Sequence, residues 1–249
     1  MTSVQRWHNR FSDQAEWTAE VRDYLFTRAG LKAGQSLIEV GCGTGAILSR
    51  LPESAQRFGL DIDPAFLAHA SDAAAGIPLT CADAHQMPYP SSSFNAACCH
   101  FLLLWVSEPL VVLREMARVT KPGGAVLALA EPDYGGRIDY PEALVPLGEA
   151  QTASLAAQGA DPLLGRKLAE LFQAAGLVDI EVGIISSQWQ PPRKGTDTSE
   201  WQMLEHDLAD RLTETQLSEY REIDQHAWQT GSRVLYVPTF YAIGHKVQS

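Results

Sequence analysis

The chain is predicted to be an α/β protein, with a seven-stranded, mostly parallel sheet, helices on both faces and a helical cap. Three observations predict this. Short apolar runs alternate with helix-patterned stretches from about residue 32 to residue 131, the signature of βαβ units. The first run stops at a glycine cluster, Gly41-Cys42-Gly43-Thr44-Gly45, where a chain turns sharply from strand to helix. Carboxylates stand at or just past the ends of the first three runs, as Glu39, Asp61 and Asp83.

Taken in order, a helix is expected from about Ser12, its cap, to Arg28, ended by Gly30. Ser36 to Val40 reads as the first strand, and residues 44 to 51 as a short helix stopped by Pro52. Arg57 to Asp61 is the second strand. Asp63 followed by Pro64 is an N-cap with proline at the first helical position, opening a helix to about Ala75. Pro78 to Ala82 and Phe94 to Cys99 are strands three and four. A helix from Pro109 to Val119 is stopped by Lys121-Pro122-Gly123-Gly124, and Ala125 to Ala130 is strand five. From Glu131 to about Pro162 the pattern loosens around Pro132, Pro141 and Pro146, and reads as an insertion over the ligand side. Gly165 to Ala175 is helical, capped by Gly176, and Val178 to Ser187 is strand six. Two helices follow with capping-box spellings, Ser199 with Gln202 and Thr213 with Gln216. The last strand spans Val234 to Lys246, interrupted by Pro238. The whole is expected as one domain: a helical lid over 1–31, a ligand-binding core over 32–131, and cap insertions with the last strands over 132–249.

Composition narrows the function. The 249 residues are 45% hydrophobic and 20% charged, with a net charge of −11. An acidic chain lacks the basic surface that phosphate backbones require, so nucleic acid is not an expected partner. No apolar run approaches membrane-spanning length, which predicts no membrane partner and a cytoplasmic protein. Cys42, Cys81, Cys98 and Cys99 form no CxxC pair, so buried, reduced thiols are expected, with no metal centre. Cys98 and Cys99 should face opposite sides of their strand.

The glycine loop alone, Gly41-x-Gly43-x-x-Ala46, also satisfies the fingerprint of nicotinamide dinucleotide sites, and an oxidoreductase stays open on that ground. Its surroundings point elsewhere. A dinucleotide site receives a pyrophosphate at the helix N-terminus, whereas Glu39 immediately precedes this loop and would repel it. Asp61 is placed to accept ribose hydroxyls and Asp83 a purine amine. Three carboxylates suit a ligand with a ribose, an adenine and a cationic amino acid head, and no phosphate.

Four stretches carry a resemblance: Leu37 to Gly45, Gly59 to Pro64, Ala82 to Pro90 and Arg118 to Gly124. In this order and spacing they resemble the class I S-adenosylmethionine-dependent methyltransferases, in particular the small-molecule, ubiquinone-biosynthesis-like branch. That resemblance implies a Rossmann-like sheet, S-adenosylmethionine as cofactor and a small-molecule methyl acceptor. It implies that Glu39, Gly41, Cys42 and Gly43 surround the methionine part, Asp61 holds the ribose and Ile62 flanks the adenine. Asp83 and Ala84 would read the ring, and the His100 carbonyl the cofactor ammonium. A noncatalytic or protein-modifying member of the same fold is the alternative.

Trp17 or Phe11, on the N-terminal helix, is expected to cover the cofactor. Methyl transfer is an in-line displacement, for which positioning can supply ~7–11 kcal/mol. A general base adds ~100- to 10,000-fold where the acceptor loses a proton. Candidates are His8, His100, Asp133 and Tyr134, and no spacing singles one out. Tyr134, Tyr140, Trp189, Trp201 and Trp228 are candidate walls of an acceptor pocket in the cap.

Overall fold

A computed structural model describes residues 3–185, 201, 204–205 and 207–248. The chain begins with α1 (Ser3–Trp17) and α2 (Ala19–Ala29), then alternates through β1 (Ser36–Val40), β2 (Gln56–Asp61), α3 (Pro64–Ala73), β3 (Leu79–Cys81), β4 (Phe94–Cys99), α4 (Pro109–Val119) and β5 (Thr120–Pro132). After it come β6 (Ile138–Tyr140), α5 (Val145–Ala157), α6 (Leu168–Ala174), β7 (Leu177–Ile185), α7 (Glu214–Thr230), β8 (Val234–Tyr236) and β9 (Thr239–Lys246). The main sheet has the order β3-β2-β1-β4-β5-β9-β7. The neighbours from β3 to β5 pair in parallel, and β9 runs antiparallel between β5 and β7. The seven-stranded, mostly parallel sheet is as the sequence predicts.

The central strands are buried over most of their length because both faces are covered. Cys98 and Cys99 illustrate this: both are fully buried, one in each of the two cores flanking the sheet. Strand order reverses between β1 and β4, which opens a crevice beyond the carboxyl ends of these strands.

Several boundaries differ from the sequence reading. The single helix expected over 12–28 is two, broken at the fully buried Thr18. Ser12 caps nothing; its hydroxyl lies 3.5 Å from His8 Nε2 within α1. The expected helix over 44–51 shrinks to one 3₁₀ turn, Leu48–Arg50, because Gly41, Gly43 and Gly45 all hold positive φ and keep the loop non-helical. The loosened insertion contains α5, whose Pro146 lies in the first turn, where a missing N–H costs nothing. The last strand divides at Pro238: β8 pairs with β6 in a separate two-stranded sheet, and β9 joins the main one. Asp63 does cap α3, accepting from Ala65 N at 2.7 Å, and Thr213 and Gln216 form the expected capping box on α7. Ser199 and Gln202 lie outside the described residues.

The cap has a core of its own, built from Leu144, Leu147, Trp201, Leu204 and Leu208. A buried ionic network ties its elements together. Arg137 pairs with Asp139 at 2.5 Å and donates to Gln151 of α5. Arg233 pairs with Asp139 of β6 and with Asp224 of α7, and Trp201 Nε1 donates to Asp224 Oδ2 at 2.9 Å.

Candidate cofactor and acceptor site

The crevice at the sheet's carboxyl edge holds a cavity of about 690 Å³, within the size range of small-molecule sites. Its floor is the glycine loop. Gly41 takes φ +73°, and a Cβ there would stand 2.6 Å from Leu102 Cδ1; Gly43 takes φ +50°, with Phe11 Cε2 3.2 Å from where a Cβ would be. Both glycines are therefore demanded twice, by backbone conformation and by close approach of a side chain.

Glu39 lines the cavity at the tip of β1 and is almost wholly buried. Its Oε2 has no hydrogen-bond partner among the described residues. Burial, then the neighbouring Asp61, pushes its pKa well above the carboxylate range, and Arg22 opposes this only in part. A buried carboxylate left unsatisfied beside a cavity fits a cationic group. Asp61, at the tip of β2, accepts from Gly43 N at 2.7 Å and Asp63 N at 2.9 Å, so it also fixes the loop. Burial raises its pKa, while these backbone donors pull the other way. Asp83 faces solvent and pairs with His85 Nδ1 at 2.7 Å; the hydrogen bonds from His85 lower its pKa.

The Asp83 segment is braced from α4. Glu115 accepts from Met87 N at 2.8 Å, and Arg118 donates to the carbonyls of Met87 and Tyr89 at 3.0 and 2.8 Å. Glu115 and Arg118 also pair with each other at 2.6 Å.

At the tip of β4, His100 is buried, and its Nε2 lies 3.1 Å from Thr18 Oγ1. Thr18 donates its own proton to Gln14 O at 2.7 Å. The hydrogen-bond network thus assigns the imidazole proton to Nε2 and the lone pair to Nδ1. Burial, helped by Arg22, lowers the His100 pKa to about 3, so the ring is neutral near pH 7.

Most of the sequence-predicted residues come together. Glu39, Gly41, Cys42, Gly43, Asp61, Ile62, Asp83, Ala84, His100 and Tyr134 all line the cavity. Trp17 does not: it is 46% exposed and packs edge-on against Phe101. The turn of α1 that faces inward carries Trp7, Arg10, Phe11 and Gln14 instead. His8 stands outside the lining, bonded to Thr44 Oγ1 at 3.0 Å and stacked on His69. Asp133 is held by Arg166 at 2.5 and 2.8 Å, away from the cavity. Neither is positioned to act as a base there. Tyr140 is exposed outside the lining, Trp201 is buried in the cap core, Trp228 is half-buried outside the lining, and Trp189 lies outside the described residues.

Sequence reasoning missed Glu131. Its carboxylate is fully buried at the end of β5 and accepts from the backbone N–H groups of Leu102, Leu103 and Leu104 at 3.0, 2.9 and 3.3 Å. It thereby sets the turn whose Leu102, Leu104 and Trp105 line the cavity. Its position at a strand end, like those of Glu39 and Asp61, was the available signal.

A Rossmann-like sheet, a glycine loop at its first turn and carboxylates at successive strand tips define a nucleoside-binding enzyme of the methyltransferase class. A family model described as a methyltransferase domain matches residues 38–128. The chain is 30% identical over 183 residues to the demethylmenaquinone methyltransferase of Geobacillus kaustophilus, covering 65% of this chain and 78% of that one. The corresponding enzyme of Geobacillus stearothermophilus is 29% identical over 194 residues, covering 69% and 81%. Among solved structures, the geranyl diphosphate C-methyltransferase of Streptomyces coelicolor, crystallised with S-adenosylhomocysteine, superposes with a TM-score of 0.58 at 14% identity, covering 92% of this chain and 79% of that one. The chain belongs to the S-adenosylmethionine-dependent methyltransferases. No helix among the described residues is long and apolar enough to cross a membrane, and no cluster there could hold a metal ion.

Proposed function

We propose that the protein methylates a small-molecule acceptor held between the glycine loop and the cap. The observation that carries this reading is one cavity with two unlike halves. Its strand-tip half bears Glu39, Asp61, Asp63 and Asp83, and its cap half is walled by Phe101, Leu102, Leu104, Trp105, Tyr134 and Leu155.

S-adenosylmethionine, when bound, supplies a methyl group already activated on a sulfonium. The unpaired Oε2 of Glu39 would hold the cationic methionine end, and Gly41 and Gly43 would let it approach the backbone. Asp61 would accept the ribose hydroxyls, while Ile62 and Phe66 flank the adenine and Asp83 with Ala84 read its edge. His100 Nδ1 keeps its lone pair for a proton-bearing acceptor atom. As so weak a base, it would orient that atom by a hydrogen bond; the sulfur–methyl bond breaks as the acceptor–methyl bond forms, and the acceptor's proton passes to solvent when the site reopens for product release. Phe11 over Gly43 and the cap's apolar wall exclude water, which strengthens every electrostatic contact inside. The four free cysteines support a reducing, cytoplasmic location.

Calorimetric titration with S-adenosylhomocysteine tests the site. The native protein should bind it, and Asp61→Ala should bind it more weakly by about 1.5–3 kcal/mol, having lost a charged hydrogen-bond acceptor. Equal affinity in both proteins would remove Asp61 from the site.

A further inference from the structure

Behind the strand tips lies a buried cation that the site does not use directly. Arg22 of α2 is 5% exposed. Its guanidinium donates to Ala15 O at 2.8 Å, and its Nε has no hydrogen-bond partner among the described residues. Leu25 and Phe26, three and four residues further on, pack in one core cluster with Leu37 of β1 and Cys98 of β4. Arg22 shares their helix face, so it points at the same side of the sheet. Glu39 lies two residues beyond Leu37 and faces that side too, in register with Cys98. Thr18, one turn before Arg22, accepts from Arg22 N at 3.0 Å through its carbonyl and bonds to His100 at the tip of β4. Arg22 is thus set just beneath the carboxyl ends of β1 and β4. Glu39 and His100 line the cavity there, and Arg22 is not among the lining residues.

A permanent cation in such a place needs a counter-charge. Burial disfavours the charge of Arg22; Asp23 favours it, Arg50 opposes it, and Glu39 and Cys98 favour it. Asp23 and Arg50 are exposed, where solvent screens them, and burial holds the Cys98 thiol protonated. Glu39 remains as the buried anion of the set, and its Oε2 is itself unpaired. At Glu39, burial and then Asp61 oppose ionisation, and Arg22 favours it. A neutral carboxyl would offer an ammonium a hydrogen bond without a charge, whereas a carboxylate offers both.

We propose that Arg22 is a positioning residue for the cofactor: its guanidinium, buried behind the site, holds Glu39 as the carboxylate that receives the cofactor's ammonium. This rests on the methyltransferase reading of the cavity. Arg22 acts through Glu39, and the ammonium completes the pairing from the cavity side. Besides burial, the same charge keeps a proton off His100, so Arg22 acts on both groups.

Carboxyl-carbon NMR of the full-length protein carrying isotopically labelled glutamate reads the pairing, with the Glu39 signal identified by its loss in Glu39→Gln. Arg22→Gln should raise the titration midpoint of Glu39 by at least about half a pH unit, and Arg22→Lys, which keeps the charge, should move it less. S-adenosylhomocysteine should bind Arg22→Gln at least about threefold more weakly on the acid side of that midpoint and converge on native affinity above it. In the native protein, the Arg22 Nε–H signal, identified by its loss in Arg22→Lys, should titrate together with Glu39 and go flat in Glu39→Gln. That readout stands even where Arg22→Gln does not fold. An unmoved Glu39 midpoint, or a flat Nε–H signal in the native protein, overturns the proposal. So does a loss of S-adenosylhomocysteine affinity by the same factor at every pH, the mark of a packing role alone. If the native protein does not bind S-adenosylhomocysteine at all, the underlying site assignment fails, while the two NMR readouts still report on the pairing, so the two failures are distinguishable.

Discussion

Arg233 donates its Nε–H to Asp224 Oδ1 at 2.7 Å, joining β8 to α7 inside the cap. Both residues are buried, and the same guanidinium reaches Asp139 of β6 at 2.9 Å. The cap is therefore fastened by charges that cannot be removed singly. Breaking a buried pair leaves an uncompensated ion, at a cost of about 3–5 kcal/mol. Arg233→Met should lower stability by that order, as read by urea denaturation: Asp139 keeps Arg137, but Asp224 is left with only the neutral Trp201 N–H. The Asp224→Asn, Arg233→Met double variant should recover part of the loss, because the stranded charge is gone. A single variant as stable as the native protein would show that the network contributes nothing.

Glu39 gives a proton linkage. Burial raises its pKa in the ligand-free protein, so the carboxyl keeps its proton to higher pH than an ordinary glutamate does. A cation placed beside Oε2 favours the ionised form, so binding of S-adenosylhomocysteine through its ammonium should release a proton. Calorimetry over a pH series, in buffers of differing ionisation enthalpy, reads this directly, with the apparent enthalpy changing with the buffer. Affinity should rise with pH over the same range. Glu39→Gln should lose the buffer dependence attributable to this group, and an unchanged buffer slope would refute the role.

How far this site was legible in the sequence follows from the kind of signal each residue gives. Glu39, Asp61 and Asp83 were readable because strand ends are fixed by local pattern, and a parallel sheet brings successive ends together. Asp63-Pro64, Pro109–Val119 and the Thr213–Gln216 box were readable because caps and breakers act within a few residues. The inward face of α1 was not. Phe11 and Trp17 are both aromatic, and only the docking of α1 onto the loop puts Phe11 against Gly43 and Trp17 against Phe101. Asp133 looked like a base until tertiary folding brought Arg166 to it from 33 residues away. The two destinations of the chain around Pro238 likewise depend on β6, which no local pattern announced.

Glu131 predicts a pH-dependent stability. Burial raises its pKa to about 7 from an ordinary 4.5, even with three backbone N–H groups favouring its ionised form. The native state thus holds a proton that the unfolded chain gives up above 4.5. This group's contribution is fully present below about pH 4.5 and is lost as pH rises through about 7. At about 1.36 kcal/mol per pH unit, the loss is on the order of 3 kcal/mol. Glu131→Gln cannot titrate, so the native-minus-variant stability difference should fall across that window and then level off. A difference that stays constant between pH 4.5 and 8 would mean that Glu131 keeps the same charge throughout.

The last prediction concerns α1 as a cover. Trp7, Arg10, Phe11 and Gln14 line the cavity from one helix face, and His8 fastens the same helix to Thr44 of the glycine loop. At its far end, Thr18 bonds to His100, so the helix is held at two points with the cavity between them. A ligand filling that space would add apolar surface beneath the helix and oppose its opening. Hydrogen exchange should therefore slow across Ser3–Trp17 as well as across residues 41–45 when S-adenosylhomocysteine binds, because protection reports the free energy of local opening. Phe11→Ala should weaken the ligand and shrink the protection of α1 while leaving β4 and β5 unchanged. The Thr44→Val variant separates cover from simple packing: it removes the His8 fastening without touching the cavity wall, and should speed exchange in α1 in the free protein more than in the bound one. Equal protection of α1 with and without ligand, alongside a protected glycine loop, would make the helix a fixed wall rather than a cover.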